Sequence, residues 1–415
     1  MVPANAAEAQ ILGLVTPLDG ARDLETVPLF QALGRILAAP LPSPLDFPHW
    51  DNSAMDGYAV RFEDVQAATA AAPVTLTVIE EIPAGKSPQQ RVAPGQAARI
   101  LTGSMVPDGA DTIVIQEDTQ RQGEQVQVLA APQPQAFVRH RASFHRAGDP
   151  LLPAGTRLRA PEIAVLAAAQ CPQVPVYRRP RVAILSTGDE LVTPDRPLQP
   201  GQIVDSNQYA LAALVQQAGA EAITLGIVPD QPEALKAAIA AAVDQADLVL
   251  SSGGVSVGDY DYVDRILTEL GATLHIRAVA VKPGKPLTVA TFSEPSPVLY
   301  FGLPGNPVSA LVSFWRFVEP ALRKLSGRSQ GWSPVFVTVR SRQALRAGGN
   351  RETYLWGQLH PTETGFEFSL AGGSHSSGNL INLAGTNALG VLPVGVTQVE
   401  AGDGVRVMVL AGAFA

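Results

Sequence analysis

Residues Asp247–Tyr262 read DLVLSSGGVSVGDYDY, an apolar run that stops at two glycines and gives way to a loop carrying Asp259 and Asp261. The spacing predicts a buried strand, a turn and the start of a helix. Glycines at a strand end let backbone N–H groups approach a phosphate closely. The helix start adds the positive end of its dipole, and the two carboxylates suit a hard cation such as Mg2+. Two further loops of the same build follow: Lys282-Pro-Gly-Lys285-Pro286 after the apolar run Ala278–Val281, and Gly302-Leu-Pro-Gly-Asn-Pro307 after Val298–Phe301.

Outward from this stretch, apolar strands at Val182–Leu185, Ala222–Leu225, Asp247–Leu250, Ala278–Val281 and Val298–Phe301 alternate with helices at Gln208–Ala218, Glu233–Ala242, Val263–Leu270 and Val308–Phe317. The alternation predicts a doubly wound α/β domain with a largely parallel sheet. In such sheets ligands bind beyond the carboxyl ends of the strands. The distinctive loops fall there: Ser186–Glu190, Pro229–Asp230, Gly253–Asp261, Lys282–Pro286 and Pro304–Pro307. Asp189 and Glu190 could ligate a cation or orient water, although acidic helix caps are common. The two lysines of KPGKP stand three apart across a Pro-Gly turn, which points both ammonium groups at one volume where an oxyanion can sit. In isolation that spacing is usually a solvated turn. Five such loops on one sheet edge favour a site, because caps need not recur with paired carboxylates and paired lysines.

The remaining segments have different periods. Residues 5 to about 45 suggest helices, with Asn5 as a cap and an apolar pattern at Leu29, Leu33, Ile36 and Leu37. Short strands at Val74–Ile79, Ala98–Leu101, Thr112–Ile115 and Gln125–Leu129 make a β-rich insert. Leu151–Gln170 returns to helix, so helical segments flank the insert and are expected to form one split domain. After Ser326–Gly331 the chain turns to β again, at Val335–Val339, Thr353–Leu359, Phe366–Leu370, Leu389–Leu392 and Val405–Leu410, a small barrel or sandwich. The predicted division is a split helical domain at 1–46 and 141–179, a β-rich insert at 47–140, an α/β domain at 180–328 and a C-terminal β-barrel at 329–415.

Composition narrows the classes. A chain of 415 residues that is 46% hydrophobic can bury several cores, and its length suggests roughly three domains. The formal charge of −8 argues against nucleic acid as a partner. Anions must then be met by local clusters such as Lys282/Lys285. The single cysteine, Cys171, excludes a disulfide framework and any CxxC site. The histidines, His140 and His145 included, have no metal-ligand spacing, so any metal is expected to be oxygen-ligated. No apolar stretch reaches the ~18 residues of a membrane span, and Met1-Val-Pro-Ala-Asn5 lacks a basic leader, so the expected location is cytoplasmic, with no membrane partner.

Taken in order, DNSAMDGYAV, RILTGSMVPDGADTIVIQED, VAILSTGDELV, PGQIVDSNQYAL, SSGGVSVGDYDYV, VKPGKPL and FGLPGNPVSALVSF resemble the MoeA/gephyrin E-domain family of molybdopterin molybdenumtransferases. The resemblance runs from about residue 25 to 320 and continues more weakly beyond. It implies a four-domain subunit in an elongated homodimer, with an active site between the α/β domain of one subunit and other domains of its partner. The implied reaction inserts molybdate into adenylylated molybdopterin, with Mg2+-dependent cleavage that releases AMP. The implied partners are a molybdopterin adenylyltransferase and apo-molybdoenzymes.

Carried over position by position, Asp56, Thr102, Glu190, Asp230, Asp261, Lys282 and Lys285 match the family's catalytic residues, with Glu190 and Asp261 as candidate metal ligands. Gly253, Gly254, Ser256, Pro286, Pro304, Gly305, Asn306, Pro307, Ser309, Arg351, Ser374 and Ser377 match positions that hold the pterin nucleotide or the oxyanion. The chain departs from the family at Arg139–Phe144, where Arg-x-x-Gly-Glu-Asp is usual, and at Trp356, where a second arginine is common. A non-catalytic molybdopterin-binding or scaffold protein of the same fold is the alternative. The intact Asp261, Lys282 and Lys285 favour the enzyme.

Overall fold

The structure, a computed structural model, describes residues 1–253, 260–294 and 296–410, the side chains of residues 260–262 excepted. Gly254, Ser256, Asp259 and the side chain of Asp261 therefore lie outside the described residues. The chain divides into a larger compact unit, residues 1–39, 154–160 and 173–415, and a smaller one, residues 40–153 and 161–172.

In the larger unit, strands β1 (Arg181–Thr187), β2 (Glu221–Val228), β3 (Leu248–Ser252), β4 (Thr273–Ala278), β5 (Pro286–Phe292) and β6 (Val298–Leu303) form one sheet in the order β2-β1-β3-β6-β5-β4. The neighbours β2, β1, β3 and β6 run parallel, whereas β5 and β4 are antiparallel additions. The expected strand Ala278–Val281 does not form. β4 ends at Ala278, the Val279 N–H donates to the Lys285 carbonyl at 3.0 Å, and the closed KPGKP turn sends the chain back as β5. Val281–Lys282 pairs instead with Glu352–Thr353. The polar Thr288 and Thr291 interrupt the apolar run of β5 and hide it from a search for buried strands.

Alternate residues of the sheet feed two cores, as a period of two requires. Val182, Ile184, Leu250 and Phe301 pack under helices α1 (Ala4–Leu14) and α2 (Asn207–Gln217). Ala183, Leu185, Val249 and Tyr300 pack under α3 (Pro232–Gln245) and α4 (Tyr260–Glu269). Each large aliphatic side chain so buried contributes about 1.5–3 kcal/mol. After β6 the chain forms α5 (Pro307–Ser313), a π-helical turn Phe314–Val318 and α6 (Glu319–Leu325).

The N-terminal segment differs from expectation. Ala4, Ala7 and Ile11, at helical spacing, bury α1 in the α/β core. Asn5 is not the cap; its Oδ1 accepts from Arg316 Nη2 at 2.7 Å. Arg316, fully buried, is also paired with Glu8 and donates from Nε to the Tyr354 hydroxyl at 2.8 Å. Removing a partner from such a buried charge costs about 3–5 kcal/mol. The Leu29–Leu37 stretch is no helix either. Leu24–Pro28 pairs with Gln173–Tyr177, a 3-10 turn covers Leu29–Gln31, and Gly34 has φ +77°. Strand pairing satisfies this backbone and leaves Phe30 and Leu33 exposed. Leu151–Gln170 is likewise interrupted, and helix is confined to Ala160–Ala168.

Strands β7 (Val335–Ser341), β8 (Glu352–Thr362), β9 (Gly365–Leu370), β10 (Ala388–Leu392) and β11 (Gly404–Val409) close into a barrel in the order β7-β9-β8-β10-β11-β7. Phe368 fills it: a Cβ at Gly357 or Gly390 would stand 2.8 or 2.7 Å from the ring.

The smaller unit is built on a six-stranded sheet, in the order Thr112–Ile115, Gly57–Val60, Gln96–Ile100, Val74–Ile82, Gln125–Val128, Thr119–Gln122. At Arg139–Phe144, the segment that departs from the expected pattern, bases find acidic partners. Arg141 Nε donates to Asp46 at 2.6 Å, its N–H donates to Asp51 at 2.7 Å, and His140 Nδ1 lies 3.1 Å from Asp51.

Candidate active site

Where β1, β3 and β6 end, their loops enclose a cleft of ≈ 670 Å³. β1 contributes Thr187, Gly188 and Glu190, and β3 contributes Ser252 and Gly253. The turn after β6 contributes Pro304, Gly305, Asn306 and Pro307. Gly253 has φ +96°, and a Cβ there would stand 2.2 Å from the Thr187 carbonyl oxygen, so only glycine lets the two strand ends come this close. Asn207, at the start of α2, is held by both amide protons: Nδ2 donates to Ser252 Oγ and to the Gly305 carbonyl, each at 2.8 Å. Its Oδ1 and the Thr187 hydroxyl are buried without a protein partner. Buried polar atoms are rarely left so, and at a cleft wall water or a ligand completes them: a donor for Asn207 Oδ1, a donor or an acceptor for the Thr187 hydroxyl.

Carboxylates rim the same cleft. Glu190, Asp205 and Asp230 line it, and the Asp230 N–H donates to Asp189 Oδ1 at 3.1 Å. Among the described residues no three His, Cys, Asp or Glu groups are drawn together as a preformed cation cage. This donor set fits Mg2+, which takes one or two carboxylates and completes its shell with water and substrate phosphate.

A second cavity of ≈ 530 Å³ adjoins the first, and Pro286 and Asn306 line both. Its lining carries Lys282, Lys285, Arg346 and Arg351 and no carboxylate. The KPGKP loop is fixed by the pairing of Lys282 with Thr353, by Arg351 Nη1 donating to the Val281 carbonyl at 3.1 Å, and by Gly284 at φ +107°. Ser309, 4% exposed, enters from α5, and the Val308 N–H donates to the Ser377 carbonyl at 3.2 Å, holding the 374–377 loop. Trp356 is buried, donates from Nε1 to Asn382 at 2.9 Å and lies 4.3 Å from the His375 ring. Lysines, guanidinium groups and hydroxyl donors without competing anions form a receptor for a compact oxyanion.

The expected residues are thus brought together for the most part. Glu190, Asp230, Gly253, Pro304, Gly305 and Pro307 line the first cavity, Lys282, Lys285, Ser309, Arg351 and Ser377 the second, and Pro286 and Asn306 both. Ser374 lines neither, and its carbonyl instead accepts from Asn379 and Asn382, each at 2.9 Å. Asp56 and Thr102 belong to the smaller unit. There Asp56 Oδ1 accepts from the Thr102 hydroxyl and N–H, both at 2.7 Å, and these bonds hold its carboxyl below the usual range. Sequence reasoning missed Asn207, Thr187 and Ser252 in the acidic cleft and Arg346 and His375 in the basic cavity. Asn207 sits in the quoted string PGQIVDSNQYAL, but a lone amide carries no signal until its neighbours are known. Arg346 adds a second guanidinium beside Arg351 in the cavity that Trp356 also lines.

Residues 2–169 match the MoeA N-terminal region (domain I and II), residues 183–324 a probable molybdopterin binding domain, and residues 338–410 the MoeA C-terminal region (domain IV). A molybdopterin molybdenumtransferase of Nostoc sp. (strain PCC 7120) is 62% identical over 400 residues, covering 96% of this chain and 92% of that protein. The chain belongs to the MoeA family of molybdopterin molybdenumtransferases. A second MoeA relative, the molybdopterin molybdenumtransferase of Haemophilus influenzae, is 37% identical over 342 residues, 82% of each chain. Among solved structures, the molybdopterin biosynthesis MoeA protein of Pyrococcus horikoshii superposes with a TM-score of 0.81 at 31% identity, covering 99% of this chain and 100% of that one. The MoeA fold therefore extends over the α/β sheet and the closed barrel described above.

Proposed function

We propose that this chain inserts molybdate into adenylylated molybdopterin, with Mg2+-dependent release of AMP, as a molybdopterin molybdenumtransferase of molybdenum cofactor biosynthesis. The observation that carries this reading is the sharing of Pro286 and Asn306 by a carboxylate-rimmed cleft and an all-cationic cavity. The pyrophosphate of the pterin nucleotide occupies the first, where the Thr187 hydroxyl can donate to a phosphate oxygen and Asn207 Oδ1 can accept an N–H or O–H from the rest of the nucleotide. Molybdate occupies the second, cradled by Lys282, Lys285 and Arg351 with Ser309 and Ser377. The two thiols of the dithiolene replace one oxo group of molybdate across the shared wall, and that oxygen leaves as water with their two protons.

Glu190, Asp230 and Asp261 are the residues that would hold Mg2+, which neutralises charge developing on the pyrophosphate when bound. Water then breaks the P–O–P bond, leaving AMP and the molybdenum-bearing pterin phosphate. Glu190 is the group suited to orient that water. In this reading the chain is a cytoplasmic homodimer of four-domain subunits, with the limits expected from the sequence except that α1 joins the α/β core. Asp56 and Thr102 reach the site from the partner subunit. The substrate comes from a molybdopterin adenylyltransferase, and the product passes to apo-molybdoenzymes. Exposed Phe30 and Leu33 are apolar surface of the kind self-association covers.

The test supplies purified protein with adenylylated molybdopterin, molybdate and Mg2+, and measures AMP together with activation of an apo-molybdoenzyme. Both should rise, and chelation of Mg2+ should stop both. Tight pterin binding with no AMP would leave the scaffold reading instead.

A further inference from the structure

A third cavity lies at the other end of the same sheet. Arg178 and Arg179 immediately precede β1, and Gly219 precedes the parallel strand β2, so these residues mark the amino ends of the strands. The cleft lined by Thr187 stands at the carboxyl end of β1, seven residues on, or roughly 20 Å at 3.3 Å per residue. The two sites are therefore separate.

Six arginines line this small pocket of ≈ 80 Å³: Arg35, Arg157, Arg178, Arg179, Arg323 and Arg328. Four are engaged. Arg178 lies between Asp23 at 2.9 Å and Asp247 at 2.7 Å, and Arg35 is paired with Glu25. Arg323 donates to Glu319 at 2.6 Å, and Arg179 donates to the Gly219 carbonyl at 3.1 Å. Arg157, set beside Ile36 by an antiparallel bridge, and Arg328 have neither a side-chain hydrogen bond nor an ion pair with any described residue. The carboxylates Asp23, Glu25, Asp247 and Glu319 are already taken by Arg22, Arg35, Arg178 and Arg323, so Arg157 and Arg328 are left with no carboxylate of their own. Arg328 is half-buried, and desolvation, then the neighbouring charges of Arg323 and Arg157, lower its pKa. A chain of net charge −8 has no general need for such crowding. Arg157 is exposed, so the cost falls on half-buried Arg328, where like charges are unfavourable unless an anion completes the group.

We propose that this pocket is a second oxyanion site, taking a compact tetrahedral dianion of the phosphate or sulfate type through the forks of Arg157 and Arg328. The pocket, at ≈ 80 Å³, is too small for a nucleoside, and the two guanidinium groups without partners suit a compact anion. Paired guanidinium forks are suited to adjacent oxygens of such an ion. Its distance from the molybdate cavity makes it accessory to the chemistry.

The full-length protein, in chloride buffer free of other oxyanions, is titrated with inorganic phosphate by calorimetry and by thermal melting. Wild type and three variants are compared: the double variant Arg157→Gln/Arg328→Gln, the conservative Arg328→Lys, and Lys282→Ala/Lys285→Ala. Phosphate should raise the wild-type melting temperature. The glutamine pair should weaken that response at least tenfold, Arg328→Lys should weaken it partly, and the lysine pair should keep one class of phosphate sites. AMP release should persist in the glutamine pair. If the glutamine pair fails to fold, Arg328→Lys alone decides, since a lysine keeps the charge but loses the fork. A phosphate response unchanged in both Arg328 variants would overturn the proposal. So would a response abolished by the lysine pair, or one in which AMP outcompetes phosphate at the arginine site.

Discussion

The side-chain amide of Asn207 donates to the Ser252 hydroxyl at 2.8 Å, tying the start of α2 to the end of β3 at the floor of the acidic cleft. Its second proton goes to Gly305, so one residue sets the spacing of three loops and leaves its carbonyl oxygen for a ligand. Asn207→Ala removes a bond to the buried Ser252 hydroxyl and a part-buried bond to the Gly305 carbonyl, and should lower stability by about 1–3 kcal/mol. Urea unfolding should show an earlier midpoint with an unchanged slope, and direct binding of adenylylated molybdopterin should weaken in parallel. A variant of wild-type stability would show that the clamp does not organise these loops.

Gly253→Ala should be more damaging to activity than its size suggests. The added methyl would stand 2.2 Å from the Thr187 carbonyl, in a backbone conformation at φ +96° that L side chains rarely adopt. Strain of this kind amounts to about 1–3 kcal/mol, and relieving it displaces the turn that faces the pyrophosphate. AMP release should fall at least tenfold, and near-normal turnover would mean that this turn tolerates displacement.

Lys285→Ala should raise the molybdate concentration needed for half-maximal cofactor formation by roughly tenfold to a hundredfold, the loss of one charge-assisted contact. Direct binding of adenylylated molybdopterin should change little, because Lys285 lines the all-cationic cavity alone. Lost pterin binding with an unchanged molybdate requirement would assign the lysine to the opposite cavity.

The pH response of Asp56 follows from Thr102. Hydrogen bonds from the Thr102 hydroxyl and N–H depress the Asp56 pKa, so the ionised carboxylate adds stability above its unfolded pKa. That contribution is lost as pH falls through the lower, folded value. Thr102→Val removes the hydroxyl and keeps the N–H, and should move the Asp56 pKa upward. A carbon-detected NMR titration of the Asp56 carboxyl reads this directly, and an unmoved curve would mean that the hydroxyl bond is not made in solution.

If Asp56 acts on the site of the partner subunit, two variants impaired at the wild-type half-saturating molybdate concentration should rescue each other. Mixed in equal amounts and allowed to exchange subunits, Asp56→Ala and Lys285→Ala should recover about a quarter of wild-type sites, since half of the dimers are mixed and each has one intact site. Assayed for AMP release, no recovery after proven exchange would place all catalytic groups within one subunit.

What the sequence determined by itself was local and periodic. Apolar runs ending at Gly253 and at GLPGNP placed the ends of β3 and β6, the run before KPGKP did not form the expected strand, and a carboxyl-end site follows from any doubly wound sheet. The ordered motifs then carried the family and most of the site residues. Non-local pairing was left to the tertiary structure. The antiparallel β5, the closure of the barrel around Phe368, and the docking of α1 through Asn5 and Glu8 on Arg316 each join residues far apart in the chain. Asn207, Arg346 and Trp356 were opaque for the same reason. A side chain shows its purpose only once packing decides which of its hydrogen bonds are satisfied and which cavity it faces, and the satisfied amide of Asn207 beside its unsatisfied oxygen is a property of three loops folded together.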